Sequence, residues 1–293
     1  MFSIIIPSYN RNLEVNRLLV SLEQQTAKNF DVIVVDDCSP NPLKIDRTFS
    51  FEVKLIRNEQ NAGPAQSRNN GTKMATGEWL LFLDDDDRFD ERKCQIIAET
   101  IEQNSTLNFI YHPAKCEMVN EKFSYVTKPI NEQEISLERI LLVNKIGGMP
   151  MIAIKKDFFW QLGGLSTALK SLEDYEFVLK AVSCPDFRPK YIDEPLSICA
   201  FHTKRSSVST NTENTEKAIA MIGQQYVKTE QQAKNFAINS LYMLAYPYAM
   251  NLSRKAGYYY FKIFMLSHNV KHLMIAIVSS ISPRLAINLK RYI

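Results

Sequence analysis

Residues 61–87 read NAGPAQSRNNGTKMATGEWLLFLDDDD, and this stretch decides the fold class. Gly63 opens a helical pattern that runs to about Ala75. EWLLFL, residues 78–83, is then a fully apolar run of strand length, stopped by Asp84, Asp85, Asp86 and Asp87. A short apolar run without polar alternation is the pattern of a strand buried on both faces. Working outward, residues 2–7 (FSIIIP) and 31–36 (DVIVVD) repeat that pattern, and residues 53–56 read as a third strand. Between them, residues 12–26 place Leu13, Leu18, Leu19 and Leu22 at helical spacing. Strands and helices alternating at short intervals predict an α/β fold whose mostly parallel sheet carries helices on both faces. In such sheets ligands bind beyond the carboxyl ends of the strands. PSYNR (7–11), DDCSP (36–40) and DDDD (84–87) each follow a strand, so they are expected to converge at one edge.

Further along, strands are expected near 107–111, 149–154 and 196–201, and helices near 135–143, 157–162 and 173–182. After about residue 212 the chain reads as helical, with breaks at Pro247, Gly257 and Pro283. The expected organisation is a catalytic domain over 1–212 and a C-terminal helical region over 213–293. With 293 residues, 45% hydrophobic and 23% charged, the chain can bury a sizeable core, and disorder is excluded. The five cysteines are odd in number and widely spaced, which suggests neither a disulfide framework nor a zinc site. The N-terminal apolar run has no basic flank or cleavage signal, so a cytoplasmic location is expected.

Four consecutive aspartates repel one another, and nothing near them in sequence neutralises them. A cation is the economical solution. Residues two apart on an extended backbone share a side, so Asp84 and Asp86 are expected to face one site. Hard oxygen ligands suit Mg²⁺ or Mn²⁺ bridged to a diphosphate. The competing reading is a solvated acidic turn before a helix beginning near Asp90.

The segments SIIIPSYNR (3–11), VIVVDDCSP (32–40), 61–87, GGMPMIAIKKDFFWQLGGLS (147–166) and LEDYEF (172–177), in this order, resemble the family 2 glycosyltransferases of the GT-A fold. The resemblance implies a single-sugar transfer from a UDP-sugar, with inversion at the anomeric carbon. It implies that Tyr9 stacks on the donor base, at roughly 1–3 kcal/mol for such stacking. Asp37 would read the uracil imide, with Pro7 and Arg11 beside it. Arg68 would reach the base or phosphates, or else be a solvated helix arginine. Asp84 and Asp85 would lie along the nucleotide, and Asp86 would be the principal metal ligand. His202, in CAFHTKRSSVS (199–209), would complete the metal or diphosphate site, or be structural. Lys204 and Arg205 would hold the diphosphate or be plain loop charges. Asp174 would be the general base, with Glu173 beside it in the catalytic pair. The alternative for that pair is N-terminal helix charge. The glycine pairs 147–148 and 163–164 would bracket the acceptor region, with Trp160 in the core between them. His112, His268 and His272 are assigned structural or solvated positions.

Two departures stand out. Asp85 occupies the place of the family's small residue before the metal ligand, and the Q-x-x-R-W motif of processive synthases is absent. A nucleotidyltransferase and a non-catalytic nucleotide-sugar binding module are the other readings. The first lacks its glycine- and lysine-rich phosphate loop near residues 8–20, and the second would not need Asp174.

From residue 231 onward there are eight basic residues and no acidic ones, whereas the preceding part holds 27 basic against 32 acidic. The tail's apolar stretches, such as YYYFKIFML, fall short of the ~20 residues that cross a bilayer. The tail therefore reads as amphipathic helices on an anionic membrane surface, or as a helical subdomain that packs on the core or forms a dimer contact. The expected partners are a UDP-sugar donor, a glycan or lipid-linked acceptor and the inner face of the cell membrane. The oligomeric state stays open. No nucleic acid is expected, because the basic residues are spread among bulky aliphatics.

Overall fold

The computed structural model describes residues 1–204 and 211–289. Seven strands form the central sheet: β1 (Phe2–Ser8), β2 (Phe30–Asp36), β3 (Val53–Arg57), β4 (Trp79–Phe82), β6 (Phe109–Tyr111), β9 (Ile152–Lys155) and β10 (Pro189–Tyr191). Their spatial order is β10-β6-β9-β4-β1-β2-β3. All neighbours are parallel except β9, which runs antiparallel to both β4 and β6. A second sheet, β5-β11-β7-β8, is built from β5 (Arg88–Phe89), β7 (Ala114–Met118), β8 (Phe123–Val126) and β11 (Ser197–Phe201). Of these four strands the sequence pattern anticipated only β11.

The central strands are apolar on both faces because both are covered. Ile4, Ile6, Val32, Val34 and Leu81 point to one side, where α1 (Asn12–Leu22) and α3 (Lys93–Gln103) pack with Val15, Leu18, Leu19, Cys94 and Ile97. Ile5, Ile33, Val35, Leu80 and Phe82 point to the other. There they meet α4 (Leu137–Leu142), α5 (Lys156–Gln161) and α6 (Glu173–Ser183) through Ile140, Phe158, Phe159, Phe177 and Val178. Helix α2 (Pro64–Met74) lies against this face too. It can do so because Gly71 has no side chain: a Cβ there would stand 2.6 Å from Ile5 Cγ2 and 3.0 Å from Val35 Cγ2. Removing a side chain as buried as Leu19 costs about 2–5 kcal/mol. Leu13 is solvent-exposed, contrary to the expected pattern. Val15 takes the inward position, which keeps the 3.6-residue stripe with Leu18, Leu19 and Leu22.

The C-terminal helices are α7 (Thr212–Tyr226), α8 (Glu230–Met250), α9 (Lys255–Ser267), α10 (Val270–Ile281) and α11 (Pro283–Asn288). Ala218, Ile222 and Tyr226 of α7 and Phe236 of α8 belong to the same apolar core as the sheet. Two of the three expected breaks are absent. Pro247 sits inside α8, one turn from its end, and Gly257 sits inside α9. The turns fall instead at 251–254, which carries Leu252 at φ 52°, and at His268, with φ 52°. Pro283 does start a new helix, at the first-turn position that its missing N–H suits.

Candidate active site

The three polar segments after β1, β2 and β4 do meet at the carboxyl edge of the sheet. They open onto a cleft of about 960 Å³. Pro7, Tyr9, Arg11, Asp37, Arg68, Asp84, Asp85, Asp86, Glu173, Asp174 and His202 all line it. Lys204 does not line this cleft but a smaller one, and Arg205 lies outside the described residues. Three residues around the cleft hold positive φ without being glycine: Asn10 (56°), Cys38 (61°) and Leu172 (60°). They adjoin Arg11, Asp37 and Glu173, and each costs roughly 1–2 kcal/mol of backbone strain. The turns that aim the polar side chains are thus held by the surrounding fold.

The aspartate run is a turn rather than an extended strand end, with Asp87 N–H donating to Asp84 O at 3.0 Å. Its neutralising charge comes from other elements, which local sequence could not reveal. Arg11, entering α1, donates to Asp85 Oδ1 at 2.6 Å and to Asp86 Oδ2 at 2.9 Å. Arg68, buried on α2, donates to Asp84 Oδ1 at 2.5 Å and to Glu173 Oε1 at 3.1 Å. Arg68 is therefore not a solvated helix arginine; it ties two acidic walls of the cleft together. Asp85, the departure from the family pattern, lines the cleft as well. It is buried and accepts from Ser8 Oγ at 2.7 Å. Burial raises its pKa to about 6, although Ser8 and Arg11 work against the rise.

Asp37 accepts from the backbone N–H groups of Ala62 (2.9 Å) and Gly63 (2.8 Å) and from Asn58 Nδ2 (2.8 Å). It pins the loop that starts α2, and it still lines the cleft beside Pro7 and Tyr9. Tyr9 is exposed, with its ring free of core packing. On the far wall Asp174 opens α6, where its Oδ1 accepts the N–H of Tyr175 at 2.7 Å. A helix start favours a charged carboxylate, but burial and the neighbouring Glu173 win and raise the Asp174 pKa to about 6. Gly148 faces it closely: a Cβ there would lie 3.1 Å from Asp174 Oδ2. The pair Gly163–Gly164 is elsewhere. Gly164 packs on Asn69, which bonds both polar backbone groups of Leu165, and neither glycine of the pair lines the cleft. Trp160 packs against the core, as expected.

Under the cleft, Lys93 is fully buried. Its Nζ donates to Pro150 O (2.7 Å) and Ser197 Oγ (3.0 Å) and sits 3.7 Å from the Phe89 ring centre. Burial lowers its pKa to about 7. These bonds fasten the turn Met149–Met151, part of the cleft floor, to β11 and α3. His112 is buried with Nδ1 against Pro113 O, a structural position. Sequence reasoning missed Ser8 and the whole contribution of α8. Asn239, Tyr242, Tyr246 and Met250 line the cleft from that helix. The available signal was polar side chains at helical spacing, Asn239, Tyr242 and Tyr246, within an otherwise apolar run.

Among the described residues, no group of three or more His, Cys, Asp or Glu side chains is arranged to hold a metal ion. The donor set nonetheless fits one. Asp84 to Asp87, Glu173 and Asp174 put six carboxylates on one cleft against the guanidiniums of Arg11 and Arg68. Mg²⁺-type sites commonly use only one or two carboxylates, the rest of the shell being substrate phosphate and water.

A family model described as "Glycosyl transferase family 2" matches residues 3–163. An uncharacterized glycosyltransferase of Haemophilus influenzae is 62% identical over 291 residues, 99% of each chain. An Escherichia coli UDP-Glc:alpha-D-GlcNAc-diphosphoundecaprenol beta-1,3-glucosyltransferase is 30% identical over 154 residues, 52% of this chain and 59% of that one. In fold, the chain is similar to residues 1–349 of Staphylococcus aureus TarS in complex with UDP-GlcNAc. The TM-score is 0.61 at 22% identity, over 95% of this chain and 81% of that one. Motif order, sheet topology and these likenesses agree, and the chain belongs to family 2 of the glycosyltransferases, with a GT-A-type fold.

Proposed function

We propose that the protein transfers one sugar, with inversion, from a UDP-sugar to a membrane-associated glycan acceptor in assembly of a cell-surface polysaccharide such as capsule or lipopolysaccharide. One observation carries this reading: Tyr9, Asp37, Asp84, Asp86 and Asp174, from four separate chain segments, line a single cleft. Tyr9 offers a ring face for the base, and Asp37 an acceptor for an imide N–H. Asp86, with His202, would hold a divalent ion, Mn²⁺ or Mg²⁺. Such an ion, when bound, offsets the charge of a leaving diphosphate. Asp174, on the opposite wall, takes the proton of the acceptor hydroxyl as its oxygen attacks the anomeric carbon. The bond from that carbon to the diphosphate oxygen breaks, UDP leaves, and configuration inverts. Glu173, held by Arg68, lies beside Asp174 and raises its affinity for a proton, which strengthens it as a base. The nearby UDP-sugar enzymes of the family support the donor class. Family membership does not favour a nucleotidyltransferase or a binding module.

The test is hydrolysis of a panel of nucleotide sugars by the purified chain with Mn²⁺, with Mg²⁺ and with EDTA. Metal-dependent UDP release from one sugar is expected. Release from a guanosine or cytidine donor alone would overturn the assignment at Asp37.

A further inference from the structure

The C-terminal hairpin is built inside out for a protein surface in water. On α10 the residues Val270, Met274, Ile277 and Ile281 fall at spacings of four, three and four, a single face, and all are exposed, Met274 at 62% and Ile281 at 70%. On α9 the exposed residues are Tyr258, Phe261, Met265 and Leu266, and Leu285 continues the patch on α11. The inward face carries mostly small residues: Ala256 and Gly257 beside Ile263 on α9, and Ala276 and Ser279 on α10. Gly257 is what lets the helices touch, since a Cβ there would stand 2.8 Å from Ala276 O and 3.1 Å from Ser280 N. Small residues between helices and large apolar residues facing outward is how helices pack in lipid, not how an amphipathic pair packs in water. A contiguous exposed apolar patch of this kind marks an interaction surface.

Charge identifies the partner. Arg254, Lys255, Lys262, Lys271 and Arg284 are exposed around the patch, and the sequence holds no Asp or Glu after Glu230. Lys204, Arg254 and Arg284 also line a second cleft at the end of α10, against one carboxylate, Glu121. A second copy of this chain, meeting the patch about a twofold axis, would set cation against cation. An anionic bilayer surface matches both the apolar face and its basic rim. Helices of 13 and 12 residues reach only about 20 Å, and among the described residues no helix is long and apolar enough to cross a membrane. The hairpin therefore lies in the interface rather than spanning the bilayer.

We infer that α9–α11 form a monotopic docking face for anionic bilayers, which sets the acceptor side of the cleft at the membrane surface. The link to the cleft is direct. Tyr242 of α8 lines the cleft while its hydroxyl bonds His272 Nε2 of α10, and His272 Nδ1 bonds Ser267 Oγ of α9 at 2.7 Å. The inference rests on the proposed transfer reaction only in making the acceptor lipid-anchored; docking stands apart from it.

The test is co-sedimentation of the full chain with vesicles of phosphatidylcholine, and of phosphatidylcholine mixed equally with phosphatidylglycerol. More than about tenfold tighter binding to the anionic vesicles is expected, weakening with salt. The variant Met274→Glu/Ile277→Glu is expected to lose that binding at least about tenfold while its lipid-free UDP-sugar hydrolysis is unchanged. Both positions are exposed and outside the cleft, so folding is not at stake. Equal binding to both vesicle types, or binding unaffected by the variant, overturns the proposal. So does a wild-type dimer in light scattering that the variant disperses, which would make the face a contact between copies. Vesicle binding by a protein without any nucleotide-sugar hydrolysis would support docking while removing the donor assignment.

Discussion

The cleft and the C-terminal hairpin solve opposite problems. In the cleft, charged groups are partly or wholly withdrawn from water and held by one another: Arg11 between Asp85 and Asp86, Arg68 between Asp84 and Glu173. In the hairpin, apolar groups are left in water while mostly small residues, with Ile263, fill the interior. Each arrangement is costly by itself, and each becomes favourable once its partner arrives. For the cleft the partner we propose is a metal-bound nucleotide, and for the hairpin the partner we infer is a bilayer. Departures from ordinary burial therefore mark where this molecule works, and departures of opposite sign mark different kinds of ligand.

The sharpest way to break the comparison is at Asp174. Asp174→Asn is expected to lower the transfer rate by about 100- to 10,000-fold while UDP binding, measured calorimetrically, stays near wild type. An unchanged rate would remove the base assignment and leave the far wall without chemistry. Next in size is pH. Burial and Glu173 raise the Asp174 pKa to about 6, and a base must be deprotonated to act. The transfer rate at limiting substrate is thus expected to fall about tenfold per pH unit below that value and to be flat above it. The sign for stability is opposite: a carboxylate whose pKa is raised by folding favours the native state when protonated. The contribution of Asp174 to unfolding free energy, taken as the difference between wild type and Asp174→Asn, should therefore drop as pH rises from about 4 to about 6.

In the hairpin the effects are structural and smaller. Gly257→Ala would place a methyl against the α10 backbone and is expected to cost about 1–3 kcal/mol, read by denaturant unfolding, without altering UDP affinity. Smallest is Tyr242→Phe, which removes one hydrogen bond to His272. It should cost about 1 kcal/mol and, by loosening the join between the regions, affect transfer to a lipid-linked acceptor more than donor hydrolysis. Equal effects on the two reactions would mean the regions are not coupled there.

Six of the seven central strands were legible, most of them as apolar runs ended by polar turns, whereas β10, three residues long and carrying Lys190, was not anticipated. The second sheet was not, because β7 and β8 are short and polar enough to pass for loop: Lys115, Glu117 and Ser124 lie among their residues. The turns of the tail were misplaced for a related reason. Pro247 and Gly257 break isolated helices, but in the last turn of α8 and at a tight helix contact in α9 the packing tolerates or demands them. The cleft residues of the strand-end loops and of the start of α6 were legible as types and segments, apart from Ser8, and those of α8 were not. Their pairings were not, since Arg68 and Glu173 are 105 residues apart and only folding makes them neighbours.

By itself, the sequence determined the alternating α/β architecture, the edge at which the polar loops gather, the family, and the charge imbalance between body and tail. The architecture, the edge and the imbalance follow from local pattern or composition, because hydrophobic period and strand-end chemistry act over a few residues; the family follows from the resemblance of five motifs in order. Tertiary structure alone decided which cation answers which carboxylate, that α8 completes the cleft, and that the tail's apolar side faces outward. Those depend on distances between remote segments, and no local pattern encodes which face of a helix its neighbours will cover.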